Sequence, residues 1–228
     1  VSVIGKQLGY NADDGSWSDL KVRADDAWSL AVDPTSPSTI YVGTYSGLIF
    51  RSTDGGGHWA STSNGLQASG VNVIATVASA PGTVYAGGHN GLFRSSDGAM
   101  TWAHLTLGVR NVGVYPLAVD PTNSSTIYTT ADGVLTKTTD GGAHWADSSV
   151  GLSGRWMNRL VIDPVSPTTV YAGLTPPFGS SSIYKSTDAG AHWTMKLTVG
   201  PGPGLRTLTI APTQPSTLYI GVNSKGVL

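Results

Sequence analysis

Ser52-Thr-Asp54-Gly-Gly-Gly-His-Trp59 decides how this chain is read, because three further stretches repeat it: Ser95-Ser-Asp97-Gly-Ala-Met-Thr-Trp102, Thr138-Thr-Asp140-Gly-Gly-Ala-His-Trp145 and Ser186-Thr-Asp188-Ala-Gly-Ala-His-Trp193. The shared pattern is [ST]-x-D-x-[GA]-x-x-W. It encodes a turn: an aspartate accepts backbone N–H groups ahead of it, glycine tolerates positive φ, and tryptophan offers a large apolar face to pack.

Working outward, a second motif recurs five times: LAVDPTSPSTIY ending at Tyr41, IATVASAPGTVY at Tyr85, LAVDPTNSSTIY at Tyr128, LVIDPVSPTTVY at Tyr171 and LTIAPTQPSTLY at Tyr219. The tyrosines stand 44, 43, 43 and 48 residues apart, the period of a four-stranded propeller blade. Within one period the apolar residues alternate. Strands are predicted at Ser29–Asp33, Thr39–Thr44, Leu48–Ser52 and His58–Thr62, with Gly, Pro, Asn and Asp at the joints. Helix pairs would give a similar period but need helical spacing, which is missing.

The expected fold is therefore all-β: one domain over 1–228, a five-bladed propeller of four-stranded antiparallel blades. The blades fall at 28–62, 72–105, 115–148, 158–197 and 206–228, the last completed by residues 1–20. Val1–Ile4 is read as its third strand and Trp17–Leu20 as its fourth. The turn between them, Asn11-Ala-Asp13-Asp-Gly15-Ser-Trp17, is one residue shorter than the others.

Composition agrees with a turn-rich β protein: 30 Gly, 13 Pro and only 12% charged residues. With 13 Lys+Arg against 14 acidic residues the net charge is −1, too little to gather nucleic acid or an anionic membrane. No cysteine is present, which removes thiolate metal sites and cysteine nucleophiles. No apolar run approaches the ~18 residues of a membrane span, so membrane insertion is not expected. An extracellular or periplasmic location is the expectation.

The two motifs resemble those of Asp-box (BNR-repeat) propellers, a group that includes sialidases, family 74 glycosidases, sortilin-type receptors and photosystem II assembly factors. The resemblance implies a propeller fold and a structural role for Asp54, Asp97, Asp140 and Asp188, remote from the ligand face. Because the group spans enzymes, receptors and assembly factors, it leaves function open.

Glycosidases use two carboxylates roughly 5–10 Å apart. All 14 acidic residues here are aspartates. Setting aside those in the two turn motifs and beside them leaves Asp25 or Asp26 with Asp132 as the catalytic alternative, a glycoside hydrolase or polysaccharide lyase acting on a plant or microbial glycan. Asp132-Gly133 equally suits a hairpin turn. His58, His144 and His192 share one slot of the repeat and so sit on different blades, which argues against a shared metal. No cofactor is expected, and His104 has no identified partner.

The primary reading is a non-catalytic binding module, lectin-like or a platform for a protein segment, at the mouth of the propeller channel. The residues 13 before each tyrosine are Trp28, Asn72, Tyr115, Asn158 and Arg206. The repeats agree elsewhere and disagree here. His89, Arg110, Arg155, Trp156 and Phe178 stand on neighbouring loops, Phe178 within an insertion read as the loop 174–182. Aromatic faces stack on sugars, and amide or guanidinium groups bond hydroxyls. A glycan or a protein segment is the expected partner.

Overall fold

The computed structural model describes residues 8–10, 17–19, 27–108, 113–154, 157–177, 179–201, 204–211, 214–223 and 226–227, with side chains at all but 8–10, 17–19, 200–201 and 226–227. The described residues form strands and turns and no helix. They divide into two compact units, 1–106 with 110–114, and 107–109 with 115–228.

In the first unit, β1 (Leu8–Tyr10) and β2 (Trp17–Asp19) pair as a two-stranded sheet. Two four-stranded antiparallel sheets follow. One contains β3 (Ala27–Val32), β4 (Ile40–Thr44), β5 (Ile49–Ser52) and β6 (Ala60–Ser61); the other contains β7 (Val71–Thr76), β8 (Val84–Gly88), β9 (Gly91–Ser95) and β10 (Ala103–Leu105). The second unit repeats the plan with β11 (Leu117–Val119), β12 (Ile127–Ala131), β13 (Val134–Thr138) and β14 (Ala146–Asp147), then β15 (Met157–Ile162), β16 (Val170–Leu174), β17 (Ser180–Ser186) and β18 (Thr194–Pro201). It ends in a three-stranded sheet of β19 (Leu205–Ala211), β20 (Gln214–Val222) and β21 (Gly226–Val227).

Trp17–Asp19 pairs with Leu8–Tyr10, a strand that the sequence reading did not include; Val1–Ile4, expected as a strand beside it, lies outside the described residues. The stretch read as a loop over 174–182 is partly strand: Ser182 pairs with Leu174 and with Thr198, and the insertion lengthens β17 and β18.

One set of bonds builds all four aspartate turns. The hydroxyl of Ser52, Ser95, Thr138 or Ser186 donates to its aspartate Oδ1 at 2.7–2.8 Å. The same hydroxyl accepts the N–H of Gly56, Ala99, Gly142 or Gly190 at 2.8–3.0 Å. Aspartate Oδ1 also accepts the N–H four residues on, at 2.8–2.9 Å. Oδ2 meets that residue's side chain: Nδ1 of His58, His144 and His192 at 2.5–2.7 Å, or the Thr101 hydroxyl at 2.6 Å. Each histidine thus closes its own turn.

These bonds stabilise the charged carboxylate. The Thr101 hydroxyl and N–H, with Ser95, hold Asp97 down at about 2. The His58, His144 and His192 N–H groups lead in holding Asp54, Asp140 and Asp188 further below the ordinary carboxylate value. A depressed folded-state value means the unfolded chain binds more protons between the two values, so the contribution is complete above about 4 and is lost as pH falls through the folded value. The thermal midpoint followed by circular dichroism should therefore decline below about pH 4, with a shallower decline in Asp97→Asn.

The residue after each aspartate donates its N–H to a carbonyl of the preceding turn of the same sheet: Gly55 to Ser38, Gly98 to Gly82, Gly141 to Ser125 and Ala189 to Thr168, at 2.8–2.9 Å. Both turns therefore lie at one end of their sheet. Trp102 and Trp193 then tie neighbouring sheets within a unit. Their indole N–H groups donate to Thr62 O and Ser148 O at 2.7 Å, and their backbone N–H groups to Asn64 O and Val150 O. Three of the repeated tyrosines lie against a cation of the third strand, Arg94 over Tyr85 at 6.0 Å, Lys137 over Tyr128 at 5.2 Å and Lys185 over Tyr171 at 5.3 Å. Burial pushes Tyr128 up to about 12.

Candidate functional site

At the opposite end of the sheets, four of the five first strands described begin with an irregularity. In the sheet of β3, Ala27 pairs with Thr44 and Ser29 with Gly43, so Trp28 is an extra residue between successive pairs. Asn72 stands between the Val71–Gly88 and Val73–Gly87 pairs, Asn158 between Met157–Leu174 and Arg159–Gly173, and Arg206 between Leu205–Val222 and Thr207–Gly221. Each is the unpaired residue of a β-bulge, a device that bends a strand and re-aims one side chain. At Tyr115 no bulge forms. Pro116 follows, and without an N–H it leaves the ladder to begin at Leu117.

A second varied position accompanies the first. Seventeen residues beyond each of these five positions, at the strand-two to strand-three turn of the same sheet, stand Tyr45, His89, Asp132, Thr175 and Asn223. The two positions meet. The Trp28 and Tyr45 ring centroids lie 6.0 Å apart, and Arg206 Nε donates to Asn223 Oδ1 at 2.7 Å. Asn158 and Thr175 both bond the backbone of Leu205. The sequence reading singled out His89 and Asp132 in this series but missed Tyr45; tabulating the fourth residue after each repeated tyrosine reveals it.

In the first unit three rings gather. Trp28 is 55% and Tyr45 60% exposed, and the Tyr45 and His89 centroids lie 6.0 Å apart nearly edge to face. The loops beneath them interlock. Thr44 Oγ1 accepts the Leu48 N–H at 2.9 Å and bonds the Ser46 hydroxyl. Gly47, at φ +89, sits so close to Ala68 that a Cβ would stand 2.1 Å from its carbonyl oxygen. Gly70 likewise leaves room for His89, whose Cδ2 would be 2.6 Å from a Cβ there. The Asn90 amide fastens the same segment, accepting from Ser69 N–H at 2.9 Å and donating to the Gln67 carbonyl. Ser29 Oγ donates to Val71 O at 2.9 Å, which makes the Trp28 and Asn72 bulges neighbours. Neither polar atom of the Asn72 amide has a hydrogen-bond partner.

In the second unit Arg159 donates to the Arg206 carbonyl from Nε at 2.7 Å and from Nη2, and to the Asn158 carbonyl from Nη1 at 2.5 Å. Burial, then the Arg206 guanidinium, lowers its affinity for its proton. Arg206 itself is exposed.

Asp132 (φ 51) and Gly133 (φ 75) form a two-residue turn closed by the Ala131–Val134 pair, the geometry of a type I′ hairpin. Asp25, Asp26, Arg110, Arg155, Trp156 and Phe178 lie outside the described residues. His104 pairs across the ladder with Phe93, ring centroids 5.1 Å apart. No group of three or more potential metal ligands occurs among the described residues. A cleft of about 370 Å³ lies at the aspartate-turn end of the second unit, between Asp140, His144, Trp145 and Asp188. Its carboxylates are held by their own turns, and Lys137 Nζ on its wall donates to Ala189 O at 2.9 Å. None of the described residues makes a helix long and apolar enough to cross a membrane.

No family model matches the chain, and no curated protein matches it. Solved structures do. The family 74 (GH74) xyloglucanase of Xanthomonas campestris superposes with a TM-score of 0.72 at 21% identity, over 93% of this chain and 38% of that one. The GH74 enzyme of Niastella koreensis gives 0.73 at 20%, over 96% and 38%. YCF48 bound to D1 peptide gives 0.63 at 14%, over 93% and 68%. The chain spans about a third of the length of the GH74 structures it matches, 28–38%. At these identities the likeness is one of fold, the β-propeller class.

Proposed function

We propose that the sheets are blades of a five-bladed Asp-box propeller and that the chain is a non-catalytic binding module, whose ligand is read at the sheet ends carrying the bulges. One observation carries this. The same backbone irregularity recurs at the same place in four sheets and carries three kinds of side chain: an indole at Trp28, amides at Asn72 and Asn158, and a guanidinium at Arg206. A bulge kept for packing alone would favour one residue type. A bulge that presents a ligand contact tolerates a different group in each blade, because its side chain stands outside the regular alternation.

Support for a glycan or a protein segment comes also from the fold relatives, GH74 glycosidases on one side and a protein with a bound D1 peptide on the other. The test is binding and hydrolysis measured on one sample, with a glycan array, a peptide array and release of reducing sugar from soluble polysaccharides. Retention on an array without sugar release is expected, weakened by Asn158→Ala or Arg206→Ala. Sugar release that disappears in Asp132→Asn would make the chain a hydrolase instead.

A further inference from the structure

We infer that Trp28, Tyr45 and His89 form a carbohydrate subsite, in which a pyranose ring of a soluble glycan stacks on Trp28. This rests on the binding-module reading and narrows it to one ligand class and one place.

Three features lead there. The first is exposed aromatic area. Trp28 and Tyr45 are large, more than half exposed and side by side, whereas Asn158, Thr175, Arg206 and Asn223 hold amide, hydroxyl and guanidinium groups at the corresponding places of two sheets in the second unit. A sugar's C–H faces pack on such rings, and Trp and Tyr lose little side-chain entropy in doing so.

The second is rigidity. Gly47 against Ala68, Gly70 against His89 and the Asn90 amide across Gln67 and Ser69 leave the segments bearing Tyr45 and His89 little freedom. A weakly binding ligand gains from a surface that is already ordered before it arrives.

The third is the character of the surroundings. The described side chains around the rings, Ser46, Gln67, Asn72 and Asn90, are hydroxyl and amide groups, the donors and acceptors that sugar hydroxyls use. Asn72, beside Trp28 through the Ser29–Val71 bond, holds one acceptor and two donors that are buried and have no partner among the described residues. Turning outward would break no internal bond, and vicinal hydroxyls, each donor and acceptor at once, match such an amide.

Ring orientation narrows the ligand further. Trp28 and Tyr45 are tilted by 58°, and Tyr45 and His89 by 79°. Rings so inclined present no common plane to a flat crystalline surface. They suit a single ring of a soluble chain.

The test uses the full chain and isothermal titration with cellohexaose, mannohexaose and xylohexaose, alongside retention on microcrystalline cellulose and on a peptide array. At least one hexasaccharide should bind, with no retention on cellulose. Trp28→Ala should weaken binding by on the order of tenfold or more, Trp28→Phe by only a few-fold, and Tyr45→Ala should also weaken it. Because Trp28 and Tyr45 are exposed, all three variants should keep the wild-type thermal midpoint. If a hexasaccharide binds equally well to Trp28→Ala and Tyr45→Ala but is lost in Arg206→Ala, this subsite is refuted while the binding module stands. Capture of peptides alone has the same meaning. Failure to bind any sugar or peptide overturns both readings.

Discussion

Trp193→Ala is expected to lower the unfolding free energy by about 3–5 kcal/mol, as for other large buried aromatics. Trp193 is 5% exposed and belongs to a buried cluster that includes Tyr128 and Leu135 of one sheet and Tyr184 of the next. Its indole N–H reaches Ser148 O at 2.7 Å and its backbone N–H reaches Val150 O at 2.9 Å. Truncation therefore opens a cavity and also leaves a buried carbonyl without its donor. Trp193→Phe keeps most of the apolar contact and loses the indole bond, so it should cost roughly 1–3 kcal/mol. Trp59 occupies the same slot of the motif but is only half-buried, and its indole N–H turns back to Gly56 O of its own turn. Trp59→Ala should cost less than half as much as Trp193→Ala. Urea midpoints followed by circular dichroism decide this. Equal losses at the two positions would mean that the tryptophan supports its own turn and does not join sheets.

Gly47→Ala should have the next largest effect, roughly 2–5 kcal/mol, because two penalties coincide. A non-glycine residue at positive φ costs about 1–2 kcal/mol, and forcing an atom into packed space costs about 1–3 kcal/mol more. Here φ is +89 and the new methyl would stand 2.1 Å from a backbone oxygen, that of Ala68, which cannot swing aside as a side chain could. Gly55 provides the comparison, since its φ is +73 and nothing lies within 4 Å of a Cβ there. Gly55→Ala should show the backbone penalty alone. Gly47→Ala should in addition weaken hexasaccharide binding, because the turn it distorts carries Tyr45 and abuts the segment on which His89 rests. A Gly47→Ala chain as stable as Gly55→Ala would remove the interlocking of these loops from the account.

Most of the sheet framework could be read from the sequence because its signals are local. The Asp-Pro and [ST]-x-D turns fix where strands stop, and alternation at period two fixes which residues face inward, so the first strand expected at Ser29–Asp33 appears at Ala27–Val32. Signals that depend on a partner strand were harder to see. Ser180-Ser-Ser182 has little intrinsic preference for a strand, yet it pairs because Thr198–Pro201 runs beside it. Near the N-terminus Leu8–Tyr10 is too short to show an alternation of its own, and it appears as a strand through its pairing with Trp17–Asp19. The aspartate turns gave no hint that Trp59 and Trp193 would differ in burial, since the motif is the same and the neighbouring sheet makes the difference.

The candidate site was half legible for a related reason. A bulge leaves no mark in composition, so the series Trp28, Asn72, Asn158 and Arg206 appeared only as a place where the repeats disagree. The structure supplies the mechanism of that disagreement, an unpaired residue in each ladder. Tyr45 escaped notice because a tyrosine just past a strand reads as more strand. Only its equivalence to His89, and the 6.0 Å between their rings, marks it as part of the same surface.

The bulges also separate two kinds of selection acting on one chain. Elsewhere in a strand, exchanging a residue disturbs either the inward or the outward row, and a slip of one position inverts both. The bulge residue belongs to neither row. Randomising Trp28 and Arg206, the exposed bulge residues, together with the exposed Tyr45, should accordingly yield a library in which most members fold. Such a library would let new recognition be selected on this framework while its stability stays nearly constant.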